Sequence, residues 1–309
     1  MTWDNLAGIL SAPKAGVQAM RDVLFLSDLD HCLFQSKRVD PNGKHPMTVK
    51  VDGTPHCFAS DAQATLFSMV AHRAFSIAVT ARTPDQMRRA IGWKPEHKHQ
   101  LALVNHGATL LYREDAGQDW SEISVWGEPY IDQARNAHQV LMADLNKLNA
   151  GLCNFVYLPA GSRLELTANK LAGDVPFYFS LQLKDAGIHG NEDAMARIRD
   201  SRAMRTIVES MGQRYVHHLN DTTMGFWPTY VGKKVAVKRL IEALKSGLDD
   251  ENFEKARAQI TDIALTLTAG DSHSDLPFML EGDFMLTPTH SPIARGAEKT
   301  SARELDPFL

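Results

Sequence analysis

Residues 22–32 read Asp-Val-Leu-Phe-Leu-Ser-Asp-Leu-Asp-His-Cys, an apolar run followed at once by the carboxylates Asp28 and Asp30. A short apolar stretch rich in strand formers and ending in polar residues predicts a buried strand that delivers its C-terminal end to a site. Residues two apart in extended chain point the same way. Asp28 and Asp30 are therefore expected to face one pocket at the carboxyl edge of a sheet, where open α/β folds bind ligands. Two carboxylates that close repel each other, and a hard divalent ion such as Mg²⁺ relieves the repulsion while also binding a phosphate. Taken alone, Asp-x-Asp is equally well explained by a solvated turn.

Similar apolar runs recur at 75–80 (FSIAVT), 101–104 (LALV), 263–268 (IALTLT) and 283–287 (DFMLT). Helical patterns lie between them. Ser60 is placed to cap a helix carrying Leu66, Phe67, Met69 and Val70, and Thr83-Pro84 to open one through Ile91. Strands apolar on both faces, alternating with helices, predict a parallel sheet covered on both sides. The middle has another rhythm. Helical stretches at 128–149 and 192–211 surround strand-like segments at 154–158, 163–167, 176–183 and 214–219, punctuated by glycines. That pattern predicts an inserted α+β unit with antiparallel strands. Two turn signals within 36–59, Pro41-Asn42-Gly43 and Asp52-Gly53, predict a hairpin or flap.

The composition is that of a soluble globular chain: of 309 residues 44% are hydrophobic and 23% charged, which excludes disordered and fibrous classes. A net charge of -4 without a basic run argues against nucleic acid and anionic membranes as partners. Cys32, Cys57 and Cys153 are odd in number and lack CxxC spacing, so free thiols in a reducing cytosol are expected. With no basic-then-apolar leader and no bilayer-length apolar stretch, the expected location is cytoplasmic. No sequence feature sets an oligomeric state.

Three further motifs carry chemistry. Gly270-Asp271-Ser272-His273-Ser274-Asp275 follows the run IALTLT, and an acidic pair in a small-residue loop at a strand end suits a metal site. The bland alternative makes Asp271 or Ser274 the cap of a helix around Leu276–Leu280. Thr80, followed by Ala81 and Arg82, offers a hydroxyl and a free backbone N–H at a helix start, a phosphate cradle. Lys233 precedes a helix whose apolar positions include Val237, Leu240, Ile241 and Leu244; the helix dipole slightly disfavours a cation there, which invites a functional explanation. The His97-Lys98-His99 and His217-His218 pairs lack metal-type context and are expected at the surface or in strands. Gly232-Lys233 lacks the spacing of a P-loop.

In order, DLDHC, VTAR, GKK and GDSHSD resemble the four motifs of the haloacid dehalogenase superfamily. Leu103-Val104-Asn105-His106-Gly107-Ala108 resembles the third-strand segment of its Cof-like branch, and Gly232 to Leu240 that branch's following helix. The sucrose-phosphatase branch is comparably similar. The resemblance implies a Rossmann-like core from 1–114 and 223–309, with a C2-type cap inserted at 115–222. It further implies a phosphatase that hydrolyses a small phosphomonoester, such as a sugar phosphate, with Mg²⁺ as cofactor. Asp28 would be the nucleophile and Asp30 the acid and base, a role that requires it to hold a proton. Thr80, Ala81 and Lys233 would bind the phosphoryl oxygens, and Asp28, the Asp30 carbonyl and Asp271 would hold the metal. Asp275 would serve as a further ligand or as the partner of Lys233. Arg82 and His31 are candidate substrate contacts, as are the flap residues Lys37, Arg38 and Lys44. The chain departs from the family at His31 and Cys32, which stand where Gly and Thr are usual. His31 turned toward the flap and Cys32 packed as a small hydrophobe are the preferred readings, with lost or retuned chemistry as the rival. A phosphomutase on the same scaffold and a non-catalytic binding or regulatory module are the alternatives to a phosphatase.

Overall fold

The computed structural model describes residues 21–37, 39–152, 163–184, 191–220 and 223–296. Arg38, Cys153, the expected strand at 154–158 and residues 1–20 lie outside them. In chain order the strands are β1 (Arg21–Ser27), β2 (Gln35–Ser36), β3 (His45–Pro46), β4 (Cys57–Ala59), β5 (Phe75–Val79), β6 (Gln100–Val104) and β7 (Thr109–Arg113). They continue with β8 (Ser121–Glu122), β9 (Arg163–Leu171), β10 (Val175–Lys184), β11 (Tyr215–Asn220), β12 (Thr223–Pro228), β13 (Ile260–Ala269) and β14 (Phe284–Leu286).

The core sheet runs β14-β13-β1-β5-β6-β7-β8. Its first five strands are mutually parallel, and β7 and β8 add antiparallel pairs. Every residue of β5, β6 and β7 is buried, as expected for a sheet covered on both faces. On one face Leu24, Leu26, Ile77 and Leu103 pack against Val237, Leu240 and Leu244 of the Lys233–Ser246 helix. Phe25, Ala78 and Ala102 face Phe67 and Ala71 of the Asp61–Arg73 helix on the other. Ser60 caps that helix in a capping box with Gln63, as expected, although Met69 is exposed. Thr83 caps the next helix in the same way, but that helix spans only Pro84–Arg88 and stops short of Ile91.

The middle of the chain forms a second, antiparallel sheet in the order β11-β12-β10-β9. Phe179, Leu181 and Leu183 alternate along β10 and pack with Leu141, Leu148, Met195 and Met204 of the covering helices. Sequence placed one helix at 192–211; two are found, Asn191–Asp200 and Arg202–Met211, because Ser201 caps the second with its side chain. β12 pairs with both β10 and β11, so this sheet extends to Pro228, past the expected boundary at 222, while β8 keeps residues 121–122 in the core sheet. The flap folds as the small sheet β2-β4-β3 with a turn at Asp52-Gly53. Among the described residues no helix is long and apolar enough to cross a membrane.

Candidate functional site

The site is a consequence of strand register. β1 is flanked by parallel β13 and β5, and Ser27 stands level with Ala269 on one side and Ala78 on the other. Asp28 follows Ser27 directly, its N–H bonded to the Ala269 carbonyl at 2.8 Å. Asp271 lies two residues beyond Ala269 and Thr80 two beyond Ala78. Three distant stretches of sequence therefore arrive together at one sheet edge. Lys233 joins them from the first position of its helix.

Ligand atoms of Asp28, Asp271 and Asp275 lie within 4.8 Å of one another, and all three residues are buried. The Lys233 ammonium sits between them, 2.8 Å from Asp28 Oδ1 and 2.7 Å from Asp275 Oδ1. The other Asp275 oxygen accepts hydrogen bonds from the Ser272 hydroxyl at 2.7 Å and from the Ser272 and Asp271 N–H groups at 3.1 and 3.3 Å. Asp275 thus fixes both the loop and the lysine. The expected cap by Asp271 or Ser274 is not found; the helix that follows, Leu276–Met279, has Asp275 at its cap position with no side-chain cap bond. Gly270 is required by proximity, since a Cβ there would stand 2.6 Å from the Asp275 Cβ.

Burial pushes the Asp28 carboxyl up to about 8, and Asp275, Asp271 and Asp30 add to the rise against the pull of Lys233. Asp271 is raised to about 7 by burial and by Asp275. Asp275 is held below the ordinary carboxylate range: burial opposes this, but Lys233 and the Ser272 hydrogen bonds outweigh it. Burial likewise opposes the charge on Lys233, yet Asp275 and Asp28 hold its amine above the ordinary value. One lysine does not neutralise three buried carboxylates, so a cation is favoured among them. Hard oxygen donors carrying surplus negative charge fit a divalent cation such as Mg²⁺.

Asp30 is placed differently. Its two oxygens are forked by the Arg82 guanidinium, Nε to Oδ2 and Nη2 to Oδ1, both at 2.7 Å. Arg82, expected as a substrate contact, is therefore committed to the residue expected to move protons, and to do so Asp30 must leave a charge-assisted bidentate pair. Thr80 is buried at the site, but it is not at a helix start. Its N–H donates to Leu103 O at 2.9 Å and its hydroxyl accepts from the Arg82 N–H at 3.2 Å.

His31 takes up φ 60°, the left-handed region that favours glycine, the residue usual at this point of the motif. It lines the same chamber as Asp28 and Lys233 instead of turning away to the flap. Cys32 packs in the core as expected, its thiol pushed up by burial and by Asp28, which makes it a poor nucleophile. Lys44 pairs with Asp61 at the surface and Lys37 lies over Phe58; neither lines the site. His97 is not a surface residue: it is buried, stacked on Phe75 and hydrogen-bonded to the Ser76 N–H.

The strand-end chamber has a volume of about 620 Å³ and adjoins a second one of about 640 Å³. Asp30, Ala81, His106, His218 and Trp227 line both and form the collar between them. His106 holds that collar together. Its ring stacks on Trp227 at 4.3 Å and meets Tyr178 edge-on at 5.5 Å, joining core to inserted sheet. Its left-handed backbone, φ 57°, follows from the tight turn between β6 and β7. In the sequence His106 stands inside the segment 103–108 with no signal of its own that marks it for this role.

No family model matches the sequence, and no curated protein matches it. The fold has relatives among solved structures. The C-terminal domain of the C. albicans trehalose-6-phosphate phosphatase is 15% identical, with 84% of this chain and 73% of that one covered and a TM-score of 0.48. The sucrose-phosphatase of Synechocystis, solved with sucrose and phosphate, is 13% identical over 92% of this chain and 98% of that one, with a TM-score of 0.43. An N-terminally truncated IMP-nucleotidase of Plasmodium falciparum is 13% identical over 87% of this chain and 66% of that one, with a TM-score of 0.47. Likenesses of that size lend no activity to the chain, and function has to be read from the site itself.

Proposed function

We propose that the protein is a Mg²⁺-dependent phosphatase that hydrolyses a small phosphomonoester through an aspartyl-phosphate intermediate. The observation that carries this reading is the meeting of Asp28, Asp271 and Asp275 around Lys233 at level strand ends, in a buried chamber adjoining a second one. Asp28 attacks phosphorus, the ester P–O bond breaks, and Asp30 gives its proton to the leaving oxygen. Asp30 then takes a proton from water, which attacks the aspartyl phosphate, frees inorganic phosphate and restores Asp28. Lys233, the Thr80 hydroxyl and the Ala81 N–H hold the phosphoryl oxygens, and the ammonium stabilises charge that grows in the transition state. Asp28, Asp271 and the Asp30 carbonyl would hold Mg²⁺, which would supply the positive charge a phosphate dianion needs to approach the carboxylates. The catalytic core is drawn from 1–114 and 223–309 and the cap from 115–222, with sheet pairing moving 121–122 to the core and 223–228 to the cap. Free, buried Cys32 and Cys57 support a reducing, cytoplasmic setting.

A second reading, a binding module without turnover, is favoured by one observation: Arg82 occupies both oxygens of the expected acid. Phosphate release from p-nitrophenyl phosphate and from a panel of sugar phosphates, with Mg²⁺ and with EDTA, separates the two. Metal-dependent turnover that falls by about 10³-fold or more in Asp28→Asn is expected. Normal turnover in that variant refutes the nucleophile, and a wild-type protein that releases no phosphate from any of these compounds refutes the phosphatase reading.

A further inference from the structure

The second chamber has two walls of different chemistry. One belongs to the inserted sheet. Tyr178, Ser180 and Gln182 are spaced by two along β10 and so share a face; Asn169 stands opposite Tyr178 on β9, and Thr223 opposite Gln182 on β12. The other face of β10 is the apolar one, with Phe179 and Leu181 in the core. The chamber wall is thus a patch of half-buried, uncharged donors and acceptors, with Asn169 Nδ2 3.4 Å from Ser180 Oγ. Such a surface suits hydroxyl groups, which both give and accept hydrogen bonds.

The facing wall is cationic. Lys50 from the flap and Arg89 from the end of the Pro84–Arg88 helix line it, and among the described residues neither has an ion-pair partner. Asp30 is the one carboxylate among the described lining residues, and Arg82 neutralises it. The wall is also held in place: the Val49 N–H donates to the Arg89 carbonyl at 3.0 Å, and the Gly92 N–H to the Met47 carbonyl at 2.9 Å. Flap and helix end are therefore tied by backbone bonds, which lowers the ordering cost a ligand would meet at those segments. A volume of about 640 Å³ lies within the range of small-molecule pockets. At the collar it adjoins the chamber of Asp28 and Lys233.

We infer that the second chamber binds the leaving group of the substrate, and that this group is a polyhydroxylated compound bearing an additional acidic group, carboxylate or phosphate, held by Lys50 and Arg89. The hydroxyls lie against Asn169, Ser180, Gln182 and Thr223, and the acid lies against the two cations. The inference rests on the phosphatase reading for the word "leaving", but not for the binding itself.

Titration calorimetry on Asp28→Asn protein with Mg²⁺ in 0.15 M salt compares glucose 6-phosphate, 6-phosphogluconate and glucose 1,6-bisphosphate. The second and third carry the extra acid as carboxylate and as phosphate, so their order separates the two sources. At least one of them binds roughly tenfold more tightly than glucose 6-phosphate, the gain expected from a charge-assisted contact to each cation. That margin shrinks to about threefold or less when Arg89→Gln and Lys50→Gln are added, singly or together. Lys50 is exposed on the flap, so Lys50→Gln gives the answer even if the Arg89 variant does not fold. Equal affinity for all three compounds, or a margin that survives both substitutions, overturns the inference. Turnover of p-nitrophenyl phosphate by the unsubstituted protein reports on the phosphatase reading separately. If turnover is absent but the margin holds, that reading falls and the anion subsite stands.

Discussion

The two chambers are built on opposite plans. At the strand ends each side chain is placed by the ladder behind it: Ser27, Ala269 and Ala78 stand level, and Asp28, Asp271 and Thr80 follow within two residues. The second chamber is assembled from a flap, a helix end and one face of a sheet inserted far along the chain. The first is rigid by construction and charged to excess. The second is shaped by packing between units, and its seam runs through His106, Trp227 and Tyr178. On the proposed reading, the chemistry sits on the ladder of the core sheet and recognition on the flap, the helix end and the inserted sheet.

The contrast breaks most visibly at Lys233. Replacing it with Met leaves three buried carboxylates without their common cation, and a loss of about 3–5 kcal/mol in urea unfolding is expected. A loss below about 1 kcal/mol would show that the strand-end cluster is far better solvated than its burial indicates. The next effect is at the seam. Gly107 has φ 94°, and a Cβ there would lie 2.2 Å from the Ala236 Cβ. Gly107→Ala is expected to cost roughly 2–4 kcal/mol, from left-handed strain plus overpacking, read as a lower unfolding midpoint.

A smaller effect separates the collar from both chambers. Burial, with Lys233 and His218 adding to it, pushes the His106 imidazole down from 6.5 to about 3. The unfolded chain therefore binds a proton that the fold excludes, so stability falls as pH drops below 6.5 and goes on falling to about 3. Between pH 6.5 and 5 this group accounts for up to about 2 kcal/mol. The difference between wild-type and His106→Phe melting curves across that range isolates it, since Phe keeps a ring against Trp227. Parallel curves would remove the group from the account. The smallest effect is at His31, where glycine relieves a left-handed backbone at the cost of its own entropy. His31→Gly is expected to stabilise by up to about 1 kcal/mol by thermal denaturation.

The strand-end site was legible because its signals are local. Each residue follows an apolar run, and a buried parallel strand leaves little choice about where its end points. The same locality failed elsewhere. Arg82 and Asp30 are 52 residues apart, and no periodicity announces a fork between them. β12 was missed because TMGFWP contains both a glycine and a proline, which argue against a strand when read alone; pairing with β10 and β11 overrides that. Lys50, Arg89 and Gln182 carry no motif that marks them in the sequence. Only the closure of the inserted sheet over the core turns them toward a common space.

The fork at Asp30 also has a meaning for timing. A guanidinium grips one partner at full strength, so an anion that draws Arg82 toward itself loosens the carboxylate in the same movement, and thermodynamic reciprocity makes the loosened carboxylate favour the anion. On the phosphatase reading proposed above, arrival of the substrate anion and release of Asp30 from the fork would be one event.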